Sequence, residues 1–304
     1  MKSLAPTTHA YLLGLIGVAS FSLTFPMTRR AVAELDPVFV GLGRAVVAAV
    51  LALLVLAWQR APAPSSTQIT RLVLVALGVI VGFPLLSAWA MQSADSSHGA
   101  VVAALLPLAT AAGGALRAGE RPSAQWWAFA LAGSALVLGN ALHRGAGSIS
   151  HADLALVGAM LAAAVGYTEG AMLAREMPPE RVICWALVLA APALVLVLAL
   201  WPMRWPAASP AAWGAFAYVS VVSMFLGFFA WYRGLALGGI ARVAQVQLLQ
   251  PFLTLLAAAF WFGESVAPQM WLFAAGVVAC VALGRRAPIA ASPALAGQGT
   301  TNKR

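Results

Sequence analysis

Long apolar stretches, separated by short breaks rich in Pro, Gly and Ser, follow one another along almost the whole chain. An apolar stretch of about 18 or more residues is typical of a transmembrane helix, because about 20 residues cross about 30 Å of hydrocarbon. Open strands cannot span lipid, since their backbone groups would lack hydrogen-bond partners. The pattern predicts ten helical spans: Tyr11–Met27, Val38–Trp58, Leu72–Met91, Gly99–Leu116, Trp126–Leu142, Leu154–Leu173, Val182–Leu200, Trp213–Tyr232, Val243–Phe262 and Val266–Leu283.

The composition favours an all-α integral membrane protein over a soluble domain. Hydrophobic residues make up 62% of the chain and charged residues 9%, whereas soluble domains are about 25% charged. The net charge of +9 does not indicate a nucleic-acid partner, because the basic residues are scattered in ones and twos between apolar runs. Both cysteines lie in apolar stretches, which argues against a disulfide framework or a cysteine metal site. The expected partners are the lipid bilayer and a small-molecule substrate; the oligomeric state stays open.

The basic residues also predict an orientation. If the N-terminus is placed in the cytoplasm, thirteen Lys and Arg residues fall on the cytoplasmic side and four on the other, with only Arg44 inside a span. An excess of Lys and Arg in short loops marks the cytoplasmic side of a membrane protein. Both termini are therefore predicted to be cytoplasmic.

The chain carries an internal repeat. Residues 100–137 align with residues 244–281 at a constant offset of 144, and fourteen of the 38 positions are identical. We therefore predict a five-helix repeat over residues 1–143, a second over 152–284, and a disordered cytoplasmic tail over 285–304. Because five is odd, the repeats must cross the membrane in opposite directions, as in secondary transporters. Identical pairs include Pro107/Pro251, Thr110/Thr254, Gly119/Gly263, Glu120/Glu264 and Trp127/Trp271.

Taken together, these features resemble the EamA group of the drug/metabolite transporter superfamily. The resemblance covers about residues 11–283. The resemblance implies alternating-access export of small metabolites, amino acids or drugs across the bacterial inner (cytoplasmic) membrane, for which proton coupling is often suspected. An uncoupled facilitator of the same fold and a non-transporting membrane scaffold or sensor remain as alternatives. The resemblance to the EamA group is carried by the turns Leu116-Arg-Ala-Gly-Glu-Arg121 and Trp261-Phe-Gly-Glu-Ser265, the segments Pro107–Thr110 and Pro251–Thr254, and Asp36-Pro37 before a helix with Arg44.

Two charged side chains, Arg44 and Glu169, lie inside the predicted spans. A charge at bilayer depth costs about 2.5–3.5 kcal/mol on insertion scales, so each is expected to face the protein interior. Glu169 is the candidate for a proton-coupling group; the alternative is a rim carboxylate paired with Arg175, Arg233 or Arg242. Arg44 is interpreted as an anchor to backbone carbonyls or polar side chains, with binding of a substrate carboxylate as the alternative.

Polar residues in the spans are the candidates for the substrate path. Gln247, Gln250 and Thr254 share one face of the ninth span, because spacings of three and four residues bring side chains together on a helix. Pro251 removes a backbone hydrogen bond beside them. The alternative role for this stripe is hydrogen bonding between helices. Weaker candidates for the cavity lining are Ser20, Thr24, Trp89, Gln92 and Tyr167.

The remaining features are interpreted as structural. Glu120 and Glu264 begin or precede helices, where a carboxylate suits the positive helix end, and Pro107 and Pro251 mark helix irregularities. The chain contains no zinc-binding His/Glu spacing, no Gly-x-Ser-x-Gly elbow and no Walker loop. We therefore predict no catalytic residues, no metal and no cofactor, and not an enzyme.

Overall fold

The structure, a computed structural model, describes residues 6–94, 96–143, 151–202, 207–262, 272, 275–276, 279–280, 282–284 and 286–290. That part of the chain is almost entirely helical. The α-helices are α1 (Pro6–Ser22), α2 (Thr24–Val32), α3 (Arg44–Trp58), α4 (Ser66–Val75), α5 (Phe83–Ala90), α6 (Ser96–Val102), α7 (Leu106–Arg117), α8 (Ala124–His143), α9 (His151–Leu173), α10 (Pro179–Leu200), α11 (Pro210–Tyr218), α12 (Gly227–Gly238), α13 (Ile240–Ala244) and α14 (Gln250–Phe262).

Within the described residues, seven helical stretches are long and apolar enough to cross a membrane. The sequence predicted ten. The fourth predicted span falls on α6 and α7 and the fifth on α8, both helical, while most of the tenth lies outside the described residues. The count of ten therefore stays a prediction. The seven stretches are Thr7–Val32, Phe39–Trp58, Ser66–Ala90, His151–Leu173, Pro179–Leu200, Pro210–Gly238 and Ile240–Ala257.

The two halves of the chain share the same helix irregularities. π-Helical turns interrupt the third and eighth spans at Ala76–Gly82 and Val219–Leu226, and a further π-turn lies at Phe39–Gly43. Short 3₁₀ segments, Ala103–Leu105 and Gln245–Leu249, precede the two prolines of the sequence repeat. Proline lacks an N–H and cannot continue the i to i−4 ladder, so a tightened turn ahead of it is expected. Equivalent breaks at equivalent positions support a duplicated fold.

A third proline, Pro26, creates a contact between the halves. It cannot donate to the carbonyl of Ser22, and the first span breaks between α1 and α2 at Leu23. The Thr254 hydroxyl donates to this Ser22 oxygen at 2.6 Å. The break in the first span is therefore satisfied by a side chain from α14.

Glycines allow the central helices to approach closely. A Cβ atom on Gly234 of α12 would lie 2.9 Å from the backbone nitrogen of Gly14 on α1, and one on Gly227 would lie 3.1 Å from the Cβ of Ser20. Residue numbers rise along α1 as they fall along α12, so the two helices are antiparallel. Small residues of this kind drive helix packing in lipid, where no hydrophobic effect acts between helices.

The same arrangement joins α9 to the third span. A Cβ on Gly78 would lie 2.5 Å from the carbonyl oxygen of Ala162 and 2.8 Å from the nitrogen of Gly166, and one on Gly82 would lie 2.8 Å from the Ala162 Cβ. These two helices are also antiparallel. Each repeat thus contributes its first span to a glycine-lined contact with the third span of the other repeat.

Residues 286–290 of the predicted C-terminal tail lie within the described part of the chain, and the disorder of the tail stays a prediction. Ile289 and Ala290 form a strand (β2, Ile289–Ala290) that pairs antiparallel with β1 (Arg121–Pro122). The Ser123 amide donates to the Pro288 carbonyl at 3.1 Å. The pairing partner is the turn between α7 and α8, a non-local contact that tail composition does not reveal.

Candidate functional site

A narrow cavity lies midway along the bundle, between the two halves of the chain. Its volume is about 20 Å³, which is room for about one or two water molecules. A larger solute can therefore enter only when the surrounding helices part. The lining residues are Phe21, Thr24, Phe25, Arg44, Val79, Phe83, Ala103 and Leu106 from the first half, and Met160, Tyr167, Ser223, Met224, Phe228 and Gln250 from the second.

Most of this lining is apolar, with a small polar group at its centre. The hydroxyl oxygens of Thr24 and Ser223 lie 2.8 Å apart in a buried hydrogen bond that joins the two halves. Gln250 and Arg44 also line the cavity. Aromatic walls with a few convergent polar groups are typical of small-molecule sites.

Arg44 is fully buried, with 0% of its surface exposed. Its Nε, Nη1 and Nη2 atoms have no hydrogen-bond partner among the described residues. The Arg44 Cζ lies 6.0 Å from the centre of the Phe83 ring, so a cation–π contact supplies part of its stabilisation. Among the described residues, the guanidinium makes no hydrogen bond to a carbonyl or a polar side chain, and the predicted anchoring role of Arg44 stays a prediction.

Four aromatic side chains, Phe21, Tyr167, Phe228 and Trp231, close the cavity on one side. The ring centres of Phe21 and Phe228 are 5.1 Å apart, and those of Tyr167 and Trp231 are 5.4 Å apart. Next to this cluster, the Tyr232 hydroxyl donates to a backbone carbonyl of α9 at 3.1 Å. The chain is tightly packed on this side of the cavity.

Beyond the aromatic cluster, charged residues from both halves meet at what we call the Arg71 end of the bundle. Arg71 Nε lies 3.2 Å from Glu169 Oε2, and Arg117 Nη2 lies 2.6 Å from Glu169 Oε1. The Glu169 side chain is only 3% exposed, whereas that of Arg117 is 59% exposed, so the Arg71 pair is the less screened of the two. We call the whole group the ionic latch: Arg71, Arg117 and Glu120 from the first half, and Glu169, Arg175 and Glu176 from the second.

The partners of Glu169 differ from those considered for it. The sequence suggested Arg175, Arg233 or Arg242, but Glu169 pairs with Arg71 and Arg117. Arg175 pairs instead with Glu120, at 3.2 Å. The correct partners lie 98 and 52 residues away along the chain and become neighbours only through packing of α4 and α7 against α9. Its role in proton coupling stays a prediction.

Glu120 serves a helix in the opposite half of the chain. Its two carboxylate oxygens accept hydrogen bonds from the backbone nitrogens of Ile240 and Ala241, each at 2.8 Å. A carboxylate at this position satisfies free N–H groups and the positive helix end at the start of α13. Gly239, with φ of +87°, makes the turn that presents these nitrogens. Glu264, the repeat counterpart of Glu120, lies outside the described residues.

A second contact between the halves lies at the opposite end, which we call the Glu34 end. The Glu34 carboxylate accepts hydrogen bonds from the Ser209 backbone nitrogen at 2.7 Å and from its hydroxyl at 2.9 Å. These two hydrogen bonds hold the pKa of Glu34 below its ordinary value. Ser209 also accepts from the Ala212 nitrogen and so caps α11. Sequence reasoning missed this contact, because its partners lie 175 residues apart.

The remaining predicted residues fall in several places. Thr24, Tyr167 and Gln250 line the cavity, and their role in binding stays a prediction. Ser20 donates to the Ile16 carbonyl and Thr254 to that of Ser22. The others lie outside the lining: Trp89 and Gln92 at the exposed end of the third span, Gln247 buried within the ninth, and Pro107 and Pro251 in the first turns of α7 and α14.

Sequence reasoning also missed Ser223. The signal was available, because Ser220 and Ser223 are polar positions in the otherwise apolar eighth span. The aromatic lining carried no such signal, since Phe also occurs at span positions outside the lining, such as Phe129 and Phe252.

Comparison with known proteins is consistent with this architecture. Residues 8–140 and 150–284 each match the EamA-like transporter family. The uncharacterized transporter YdeK of Bacillus subtilis (strain 168) is 45% identical over 282 residues, which cover 92% of this chain and 98% of YdeK. A protein of known crystal structure superposes with a TM-score of 0.73 over 93% of this chain and 99% of its own, at 18% identity, which shows a shared fold. The chain therefore belongs to the EamA-like transporter family and is a multi-pass membrane protein.

Proposed function

We propose that this protein is a secondary transporter that exports small organic solutes across the cytoplasmic membrane by alternating access. The observation that carries the proposal is the central cavity, which takes its lining from both halves of the chain. A site between two repeats can be exposed to either side when the repeats exchange their shapes.

The packing directions support inverted repeats. The first span of the first half, α1, is antiparallel to α12, which belongs to the third span of the second half. The first and third spans of one repeat run in the same direction, because two crossings separate them. The two repeats therefore run in opposite directions, as the odd number of helices predicts.

The two ends of the bundle differ in how they are closed. The Arg71 end carries the ionic latch and the aromatic cluster, whereas the Glu34 end carries the hydrogen bonds between Glu34 and Ser209. In the predicted orientation the Arg71 end is cytoplasmic. Loading from the cytoplasm then requires Glu169 to separate from Arg71 and Arg117, and release follows through the Glu34 end.

Parting of the ionic latch also offers a route for proton coupling. Separation removes both guanidinium partners of the Glu169 carboxylate, so protonation of this group and opening of the Arg71 end would favour each other. The alternative is uncoupled facilitation, in which Glu169 serves only to close the Arg71 end.

The experiment is accessibility of the cavity from both sides. Thr24→Cys, in a background with Cys184 and Cys280 replaced by alanine, is treated with a membrane-impermeant maleimide in intact cells and in inside-out vesicles. Alternating access predicts labelling from both sides, because each side reaches the cavity in turn. Labelling from one side only, or from neither, would favour a non-transporting scaffold or sensor.

Two exposed positions provide matched controls. Gln92→Cys lies at the Glu34 end and should react only in intact cells, while Ala63→Cys lies at the Arg71 end and should react only in inside-out vesicles. The reverse pattern would overturn the predicted orientation. It would not affect the test of alternating access, which depends only on whether Thr24→Cys is labelled from both sides.

A further inference from the structure

The charge of Arg44 is the least compensated feature of the cavity. The side chain is fully buried and faces the cavity, and none of its three guanidinium nitrogens has a hydrogen-bond partner among the described residues. A buried charge without a partner is strongly unfavourable, and a guanidinium is shaped to hold a carboxylate through two parallel hydrogen bonds. The partner missing within the protein is therefore expected to come from the solute.

The rest of the lining restricts the charge of that solute. The lining residues in the described part of the chain include no carboxylate and no second cation besides Arg44. An ammonium group on the solute would have no counter-charge there, and a second negative charge would have no second partner. The cavity therefore suits a single negative charge better than a cation, a zwitterion or a dianion.

The other lining residues of the cavity indicate which uncharged part of a solute would fit beside the carboxylate. One hydroxyl of the Thr24–Ser223 pair donates to the other, which leaves one O–H and the Gln250 amide available as further donors. The aromatic walls offer apolar faces, including Phe25 and Phe83. A carboxylate with an aromatic or branched aliphatic body would satisfy both parts of the cavity.

We propose that the cavity binds organic monoanions of this kind and that Arg44 pairs directly with their carboxylate. As a statement about the transported substrate, the inference rests on the proposed transport function. As a statement about binding, it stands on the cavity alone. It departs from the amino acids suggested by family resemblance, since these carry an ammonium group.

Three probes of matched skeleton test the proposal: 3-phenylpropanoate, phenylalanine and 2-phenylethylamine, which are an anion, a zwitterion and a cation. Binding of each to the purified full chain is measured by calorimetry. We expect 3-phenylpropanoate to bind at least about tenfold more tightly than the other two. Arg44→Gln should weaken its binding by about thirtyfold or more, because truncating one member of a buried charge pair leaves the other uncompensated.

Two variants keep the test decisive. Arg44→Lys retains the charge and should keep the preference for the anion with lower affinity, because an ammonium cannot form the paired hydrogen bonds. Arg233→Gln makes the same type of change at an exposed position of α12 and should leave binding unchanged.

Several results would overturn the inference: unchanged binding of 3-phenylpropanoate by Arg44→Gln, a preference for the amine or the zwitterion, or no binding of any probe by the folded protein. These outcomes are separate from failure of the transport proposal. One-sided labelling of Thr24→Cys would reject transport and leave the affinities of the three probes to decide the binding inference.

Discussion

Replacing Glu120 with alanine removes a carboxylate that joins the two halves of the bundle. Its oxygens accept from the Ile240 and Ala241 nitrogens at 2.8 Å, and Arg175 lies 3.2 Å away. The side chain is only 8% exposed, so water cannot readily take its place at the start of α13. Glu120→Ala is therefore expected to destabilise the contact between the halves rather than only the turn that carries it.

The magnitude follows from the hydrogen bonds that are lost. A hydrogen bond to a charged group contributes about 1.5–3 kcal/mol, and Glu120 makes two to backbone nitrogens. The Arg175 pair adds little, because that arginine is partly exposed and such pairs contribute about 0–1 kcal/mol. We expect Glu120→Ala to lower the free energy of unfolding by about 3 kcal/mol. Glu120→Gln keeps one acceptor oxygen and should cost about half as much.

The assay is unfolding of the purified protein by sodium dodecyl sulfate in dodecyl maltoside micelles. Glu180→Ala is the matched control, because Glu180 lies in the first turn of its own helix, α10, where the helix end alone contributes about 0.3–1 kcal/mol. A loss for Glu120→Ala no larger than that for Glu180→Ala would refute the assignment of Glu120 as a contact between the halves.

Three further predictions concern single positions. A Cβ on Gly170 would lie 2.2 Å from Cζ of Tyr232, so Gly170→Ala should destabilise by about 1–3 kcal/mol in the same assay, whereas Gly214→Ala meets no atom within 4 Å and should not destabilise. Because the pKa of Glu34 is lowered, the ionised Glu34 stabilises the folded protein above the ordinary carboxyl pKa, and this stabilisation is lost as the pH falls through the lowered value. The free energy of unfolding, measured against pH in the acid range, should therefore show a decrease that Glu34→Gln lacks. Glu169→Gln should flatten the pH dependence of transport by proteoliposomes, and an unchanged profile would exclude Glu169 from proton coupling.

The positions of the helices were accessible from sequence because they depend on local patterns. Apolar stretches of spanning length mark helices wherever they pack, and the repeat around Pro107 and Pro251 is visible by direct alignment. The same helix irregularities appear in both halves, since proline acts on its own helix.

The contacts between helices were not accessible in this way. Glu169 could be identified as a rare intramembrane charge, but its pairing with Arg71 depends on which helices become neighbours. Arg44 is a different case: its position in a span predicts an anchoring role, and only the geometry reveals that its nitrogens have no hydrogen-bond partner among the described residues. Polar residues could be found by composition, whereas their orientation toward the cavity required the fold.

The most direct test of alternating access is the distance between the two halves at both ends of the bundle. Spin labels at Leu116 and Leu237 report on the Arg71 end, and labels at Gln92 and Leu154 report on the Glu34 end, all at exposed positions. Pulsed electron paramagnetic resonance in liposomes should resolve two distances for each pair. Glu169→Gln should shift the populations in opposite directions, toward the longer distance at the Arg71 end and the shorter at the Glu34 end. A single unchanging distance at both ends, or populations that move together, would contradict alternating access by exchange of the two repeats.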